Sequence, residues 1–228
     1  MQEKELKGDD KLRPFSTLTP EFILDAIEAK GFELDGRLSP LNSYENRVYQ
    51  LGLADGGWVV AKFYRPGRWS FEALREEHEF LSDLAENELP VIAPLHDTSG
   101  ETLHQCNEFF WSVYPMMGGH PPELDQADVL RQLGRLIGRM HAIGETKSFR
   151  HRPHITPETY GNEPLSYLVE SDWIPGDLRS NYLMMAKLAL DEVARCYDRA
   201  GDIPHQRIHG DCYLGNLIAR GEGLFLVD

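Results

Sequence analysis

Residues 207–228 read RIHGDCYLGNLIARGEGLFLVD, and the way this stretch folds decides how the rest of the chain is read. LIAR and LFLV are short apolar runs on either side of Gly221-Glu222-Gly223, the pattern of a β-hairpin. A three-residue loop built on a type I turn needs glycine in the left-handed position, and Gly223 stands there. That register sets Arg220 against Leu224, Ala219 against Phe225, Leu217 against Val227 and Asn216 against Asp228. Opposed residues have Cβ atoms roughly 5 Å apart, so Asn216 and Asp228 can share one cation at oxygen-ligand distances of about 2.1 Å. An amide and a carboxylate, with room for water and phosphate oxygens, form a magnesium-type donor set and no thiolate–imidazole cage. His205, His209 and Cys212 are the zinc-type alternative, but His209 lies in the run leading to the loop, where a ring packs and hydrogen-bonds. Asp211, on the tight turn before the hairpin, suits accepting a proton from an attacking hydroxyl. Taken alone, D-x-x-x-x-N equally describes the polar ends of a hairpin, so the rest of the chain has to decide.

Lys62 interrupts an otherwise apolar run, WVVAKFY (58–64). A lysine there can simply snorkel to the surface. However, the following segment SFEALREEHEFLSDLAE (70–86) has helical periodicity and places Glu77 on the face of Leu74, Leu81 and Leu84. A carboxylate on an apolar stripe needs a cation, and Lys62 from the adjacent strand is the available one. Such a pair holds the lysine toward nucleotide phosphates. Glu76 is the rival partner and points away from the leucine stripe.

A lysine in V-A-K, a glutamate on the next helix, then H-G-D-x-x-x-x-N and a closing V-D follow the order of parts in the protein-kinase fold. HGDCYLGN (209–216) resembles the catalytic loop of the aminoglycoside phosphotransferase/choline kinase superfamily. More narrowly, PLNSYENRVYQL, VAKFYRPGRW, EEHEF, LGRLIGRMH and HRPHI are similar to its bacterial stress response kinases, which are cytosolic serine/threonine protein kinases. The resemblance runs from about Thr17 to Asp228. Position by position it implies Asp211 as acceptor of the substrate hydroxyl's proton and Asn216 and Asp228 as Mg2+ ligands, with Asp228 counted in the catalytic set. It implies Lys62 as the phosphate-binding lysine, Glu77 as its helix partner and Ser43 as the phosphate-loop serine. The stretch around Ser43 has no G-x-G-x-x-G, so polar side chains and backbone must cover the phosphates. At the hinge, WSVYPMMGG, Pro115 has no N–H, which leaves the Tyr114 carbonyl and the Met116 N–H as the adenine-reading pair. The alternative is that Met116 and Met117 fill core space. Gly210 stands where eukaryotic protein kinases carry an arginine that pairs with a phosphorylated activation loop, so no switch of that type is expected. His141 is expected to brace the catalytic loop from below.

Elsewhere Thr19-Pro20 opens a helix, EFILDAIEAK, that Gly31 closes. After a turn at Ser39-Pro40, LNSYENRVYQLGL and WVVAKFY form a hairpin around Asp55-Gly56-Gly57. VIAPLHD, GETLHQ and FFWSVYPMM supply further strands. ADVLRQLGRLIGRMHAIGE is an amphipathic helix with Leu130, Leu133, Ile137 and Met140 inward. KSFRHRPHITPETYGNEP reads as a surface loop, and NYLMMAKLALDEVARCYDRAG as a long helix ending at Gly201. The fold class is therefore α+β, a two-lobed protein-kinase-like fold. A tail over 1–16 precedes a β-rich N-lobe with its hinge over 17–118, and a mainly helical, partial C-lobe occupies 119–228. Folds of this group continue past the metal-binding aspartate, so the chain reads as part of a longer one and its last hairpin as an uncovered edge.

The formal charge of −14 over 228 residues argues against nucleic acid as a partner, since phosphate neutralisation needs a basic face. No apolar run approaches the roughly eighteen residues a membrane helix needs, and MQEKELKGDDKLRPF is no signal peptide. Cys106, Cys196 and Cys212 form no C-x-x-C pair, which fits reduced thiols in a cytoplasmic monomer. The expected function is transfer of the γ-phosphoryl of Mg2+–ATP to a Ser/Thr hydroxyl of a protein substrate in a stress response. A small-molecule kinase of the same fold, acting on an amino alcohol, sugar or aminoglycoside, is one alternative. A non-catalytic nucleotide-binding module is the other.

Overall fold

The computed structural model describes residues 14–171 and 173–227. They fall into two compact units: the chain up to His151 together with the chain from Gln206 onward, and Arg152–His205.

In the first unit, helix α1 (Pro20–Glu28) begins at the expected cap, where the Thr19 hydroxyl accepts from the Phe22 N–H and Pro20 occupies the first turn. Five strands follow in the spatial order β1-β2-β3-β5-β4, all neighbours antiparallel: β1 (Leu34–Leu41), β2 (Arg47–Leu53), β3 (Trp58–Phe63), β4 (His104–Cys106) and β5 (Phe109–Pro115). Helix α2 (Phe71–Glu86) lies between β3 and β4 in the chain, its N-terminus capped by Ser70. The predicted hairpin at Asp55-Gly56-Gly57 joins β2 to β3, with Gly56 at φ +89°. Ser39-Pro40, expected as a turn, instead lies inside β1. A proline is tolerated there because β1 is an edge strand.

Period-two alternation divides the sheet. Val59, Ala61 and Phe63 on β3, with Phe109, Trp111 and Val113 on β5, turn to one face and pack with Ile23, Ala26 and Ile27 of α1. Phe63, Trp111, Phe109, Ile23 and Ile27 are fully buried, and each such side chain contributes about 1.5–3 kcal/mol. The intervening residues Lys62, Tyr64, Ser112 and Tyr114 consequently share the other face.

A second core joins α2, helix α3 (Ala127–Gly144) and the terminal hairpin of β6 (Leu217–Arg220) and β7 (Gly223–Leu226) through Phe80, Leu84, Leu136, Met140, Leu217, Leu224 and Leu226. Leu130, predicted inward, is half exposed, and Leu136 takes its place. Val129 and Leu133 pack against this core in the first turns of α3, so the inward stripe passes one residue to the side of Leu130. VIAPLHD is not a strand of the sheet. It runs as an extended crossing that makes a single bridge, Val91 to Leu226, and passes Leu95 N–H to the Val113 carbonyl.

Both edges of the β6–β7 hairpin are consequently engaged, contrary to the expected bare edge. Pro90 and Ile92 exchange backbone hydrogen bonds with Leu226, and His120 does so with Ala219. Gly119 permits the second contact, because a Cβ there would stand 2.6 Å from the Ala219 carbonyl oxygen. At the end of α3, Gly144 lies so close to the extended segment before Asp211 that a Cβ would stand 2.2 Å from the Arg207 carbonyl oxygen. Gly144→Ala is therefore expected to cost about 2 kcal/mol by overpacking, outweighing any gain in helix propensity. A urea midpoint equal to that of the parent protein would contradict this close approach.

The second unit holds a π-turn (Glu158–Asn162), α4 (Glu163–Glu170) and α5 (Gly176–Ala200). The expected surface loop thus ends in a helix, since Pro164 sits in the first turn of α4, where its missing N–H costs nothing. Tyr197 of α5 donates its hydroxyl hydrogen to the Ile155 carbonyl oxygen, 3.0 Å away. Among the described residues, no helix is long and apolar enough to cross a membrane.

Candidate active site

Lys62 enters the site from the centre of the sheet, paired through backbone with Val48 on one side and Ser112 on the other. Its side chain is 9% exposed, and its ammonium lies 3.7 Å from Oε1 of Glu77 on α2. The same nitrogen stands 4.9 Å above the Tyr64 ring, an attraction that favours its charged form. Glu76 does something else: its two carboxylate oxygens accept the backbone N–H groups of Arg150 and His151 at 2.7 and 2.9 Å.

Beneath Lys62 lies a polar network that sequence reasoning missed. The Tyr64 hydroxyl is 3.0 Å from Nε2 of His78, 3.1 Å from the Tyr114 hydroxyl and 3.3 Å from the Ser112 hydroxyl. Nδ1 of His78 is 2.8 Å from the Thr102 hydroxyl. The usable signal was the alternation itself, which puts Tyr64, Ser112 and Tyr114 on the face of Lys62. Burial, with the charge of Lys62 adding to it, lowers His78 to about 3. Burial also pushes the Tyr114 phenol up, against its hydrogen bonds to Ser112 and Tyr64.

His78 titrates lower in the folded state than in the unfolded chain, so between pH 6.5 and about 3 the unfolded state binds more protons. Stability must fall as pH drops through that window, by about 2 kcal/mol at pH 5. Urea denaturation at pH 7 and pH 5 reads this loss, and His78→Gln should flatten it. An equal slope in the variant would assign the pH dependence to other groups.

Asp211, Tyr213 and Asn216 come together in one short turn. Asn216, 7% exposed, donates through Nδ2 to the backbone carbonyl of Asp211 at 2.9 Å and to its Oδ2 at 3.2 Å. Tyr213 N–H returns to the same carbonyl at 3.0 Å. With its amide nitrogen turned to Asp211, Asn216 presents Oδ1 on its other side, a hard oxygen donor of the kind Mg2+ takes. Asp228, the other expected ligand, lies outside the described residues.

The hairpin register differs from the expected one. Leu217 faces Leu226 and Arg220 faces Gly223, so the loop is the two-residue Gly221-Glu222. Gly221, at φ +58°, takes the left-handed position, as the first central residue of a type II′ turn requires. The Val227 N–H donates to the Asn216 carbonyl at 3.0 Å, and the expected pairing of Asn216 with Asp228 falls outside the described residues.

His209 reports what surrounds the loop. Burial lowers its pKa and the charge of Lys62 lowers it further, while a backbone hydrogen bond with Val227 and the Asp211 carboxylate raise it. Lys62, Asp211 and Val227 thus all act on one imidazole. Burial and Asp211 push the Cys212 thiol up, which makes it a poor nucleophile.

The other expected site residues lie at or just beyond strand ends. The Ser43 hydroxyl donates to the Asn46 carbonyl at 2.9 Å and closes the β1–β2 loop. That loop is fastened to the chain after β3 by Arg65 N–H on Asn46 Oδ1 and by the Arg68–Glu45 pair, and Tyr44 at its tip is fully exposed. Tyr114 sits near the end of β5, and Met116, just beyond the strand, is 38% exposed.

The model of the APH phosphotransferase enzyme family matches residues 37–228. The chain belongs to this family. Stress response kinase A of Salmonella choleraesuis (strain SC-B67) is 38% identical over 218 residues, covering 96% of this chain and 66% of that protein. The serine/threonine protein kinase RdoA of Salmonella typhimurium strain LT2 shows the same identity and coverage. The chain thus spans 66% of the length of these curated relatives. Among solved structures, the amicoumacin kinase hAmiN, in complex with AMP-PNP and Ca2+, superposes with a TM-score of 0.72 at 18% identity, over 91% of this chain and 63% of its own. As an APH-family chain it carries the kinase-like α+β fold, with its antiparallel sheet ahead of the HGDCYLGN turn.

Proposed function

We propose that this chain is the nucleotide-binding and catalytic-loop part of an ATP-dependent serine/threonine protein kinase of the cytoplasm, acting in a stress response. The observation that carries the reading is the pairing of two constellations within one unit. Lys62 is held by Glu77 on the polar face of the sheet, and Asp211 is held by Asn216 on the loop. The relatives at 38% identity that are named as stress response and serine/threonine kinases support the choice of acceptor.

In this reading Lys62 neutralises phosphate oxygens of ATP, and Ser43 with the β1–β2 loop covers them. The Tyr114 carbonyl and Met116 N–H read adenine, as in the hinge deduced from Pro115. Mg2+, held by Asn216 Oδ1 with Asp228, would neutralise charge on the phosphates. The acceptor hydroxyl oxygen forms a bond to the γ-phosphorus as the bond from that phosphorus to the β–γ bridging oxygen breaks. ADP leaves, and the hydroxyl proton passes to the Asp211 carboxylate. Asn216 keeps that carboxylate in place by gripping both its side chain and its backbone.

Incubation with γ-labelled ATP and Mg2+, with dephosphorylated casein as a generic acceptor, tests the reading. Label recovered as phosphoserine or phosphothreonine is the expected result. Transfer confined to a free amino alcohol or aminoglycoside would move the assignment to a small-molecule kinase, and ATP binding without transfer to any acceptor would leave a non-catalytic nucleotide-binding module.

A further inference from the structure

We propose that Arg207 is a positioning residue for the catalytic loop, and that α2 thereby fixes the distance between Lys62 and Asp211; the inference rests on the kinase reading above. Arg207 lies four residues before Asp211, and its side chain is 3% exposed. Its Nη1 donates to Oδ2 of Asp83 on α2 at 2.8 Å, and its Nη2 donates to the Ile143 carbonyl at the end of α3 at 3.3 Å. The guanidinium lies 4.4 Å from the Phe80 ring centroid. Its backbone N–H donates to the Gly144 carbonyl at 3.3 Å.

Asp83 is drawn two ways. Burial alone would raise its pKa, but hydrogen bonds from Lys147 and Arg207 outweigh that and hold it low, so the pair is ionised. Glu77, which holds Lys62, precedes Asp83 by six residues on the same helix, about 9 Å along its axis. One rigid element therefore grips the lysine of the sheet at one point and the segment entering the Asp211 loop at another.

Stability alone is a poor account of this arrangement. Removing both partners of a buried ion pair in favour of apolar side chains is often neutral or stabilising, whereas the guanidinium's planar fork fixes direction. A loop whose carboxylate must lie within hydrogen-bond reach of an acceptor hydroxyl has use for such a fixture, since a misplacement of about 1 Å costs up to 100-fold in rate.

The test removes both charges together, in Asp83→Leu/Arg207→Met. The expected double variant has a thermal midpoint equal to or above the parent's and a Mg–ATP Kd within about twofold, while its kcat for label transfer falls about tenfold or more. The amides of Tyr213 and Asn216, which close the loop turn, should exchange faster. Arg207→Lys keeps a charge for Asp83 but cannot also reach Ile143, and it should give an intermediate kcat; it decides the matter if the double variant does not fold. A folded variant with parental kcat and parental exchange overturns the proposal, as does a Kd that worsens in step with kcat. If the parent protein transfers no label, the kinase reading fails, and amide exchange alone then decides whether Arg207 sets the loop.

Discussion

Asp211→Asn is expected to lower phosphoryl transfer by about a thousandfold, within the range for loss of a positioned general base, while Mg–ATP binding changes by less than about twofold. The Asp211 backbone carbonyl is held by Asn216 and Tyr213 independently of the carboxylate, so the loop turn survives the substitution. An asparagine can still present an oxygen to Asn216 Nδ2, now 3.2 Å from the carboxylate. What it cannot do is take up the acceptor's proton. Steady-state transfer rates beside calorimetric Kd values separate the two effects. Activity within about tenfold of the parent would remove Asp211 from the role of base.

Lys62→Met is the second large effect. The lysine is buried between two strands and held by Glu77, so its charge is already oriented and little is lost to reorganisation when phosphate charge develops. Its removal should cost about 100- to 1,000-fold in kcat/KM, with part of the loss in the KM for ATP. Glu77→Gln should be milder, about tenfold, because the ammonium remains and only its aim is loosened. Methionine fills nearly the volume of the lysine stem, so circular dichroism should report an intact fold. An unchanged KM and kcat in Lys62→Met would mean that the lysine is only the partner of a buried carboxylate.

The Lys62–Glu77 pair was legible because two periodicities crossed. A polar residue in a strand of period two and a carboxylate on a helical leucine stripe each needed an explanation, and each supplied the other's. The hairpin register was not legible, because glycines at both 221 and 223 allow two loop lengths. What accompanies the shorter loop is pairing with Pro90, Ile92 and His120, residues roughly a hundred or more positions away. The same distance hid Arg207 and Asp83, separated by 124 residues. Tyr64, His78 and Thr102 were missed because isolated polar residues in strands and helices read as surface, and only the sheet's division into faces brings them under Lys62. Pro157, Gly161 and Pro164 read as breakers and concealed α4, although a proline at the start of a helix is compatible with it.

The claim that Lys62 and the Asp211–Asn216 loop belong to one Mg–ATP site is tested most directly by an ATP acyl-phosphate, which transfers its acyl group to the amine lying against the phosphates. Mass spectrometry should find the label on Lys62, suppressed by excess Mg–ATP and reduced in Asn216→Ala. Label on Lys30 or Lys147 with Lys62 unmodified, or labelling of Lys62 that Mg–ATP does not suppress, would contradict it.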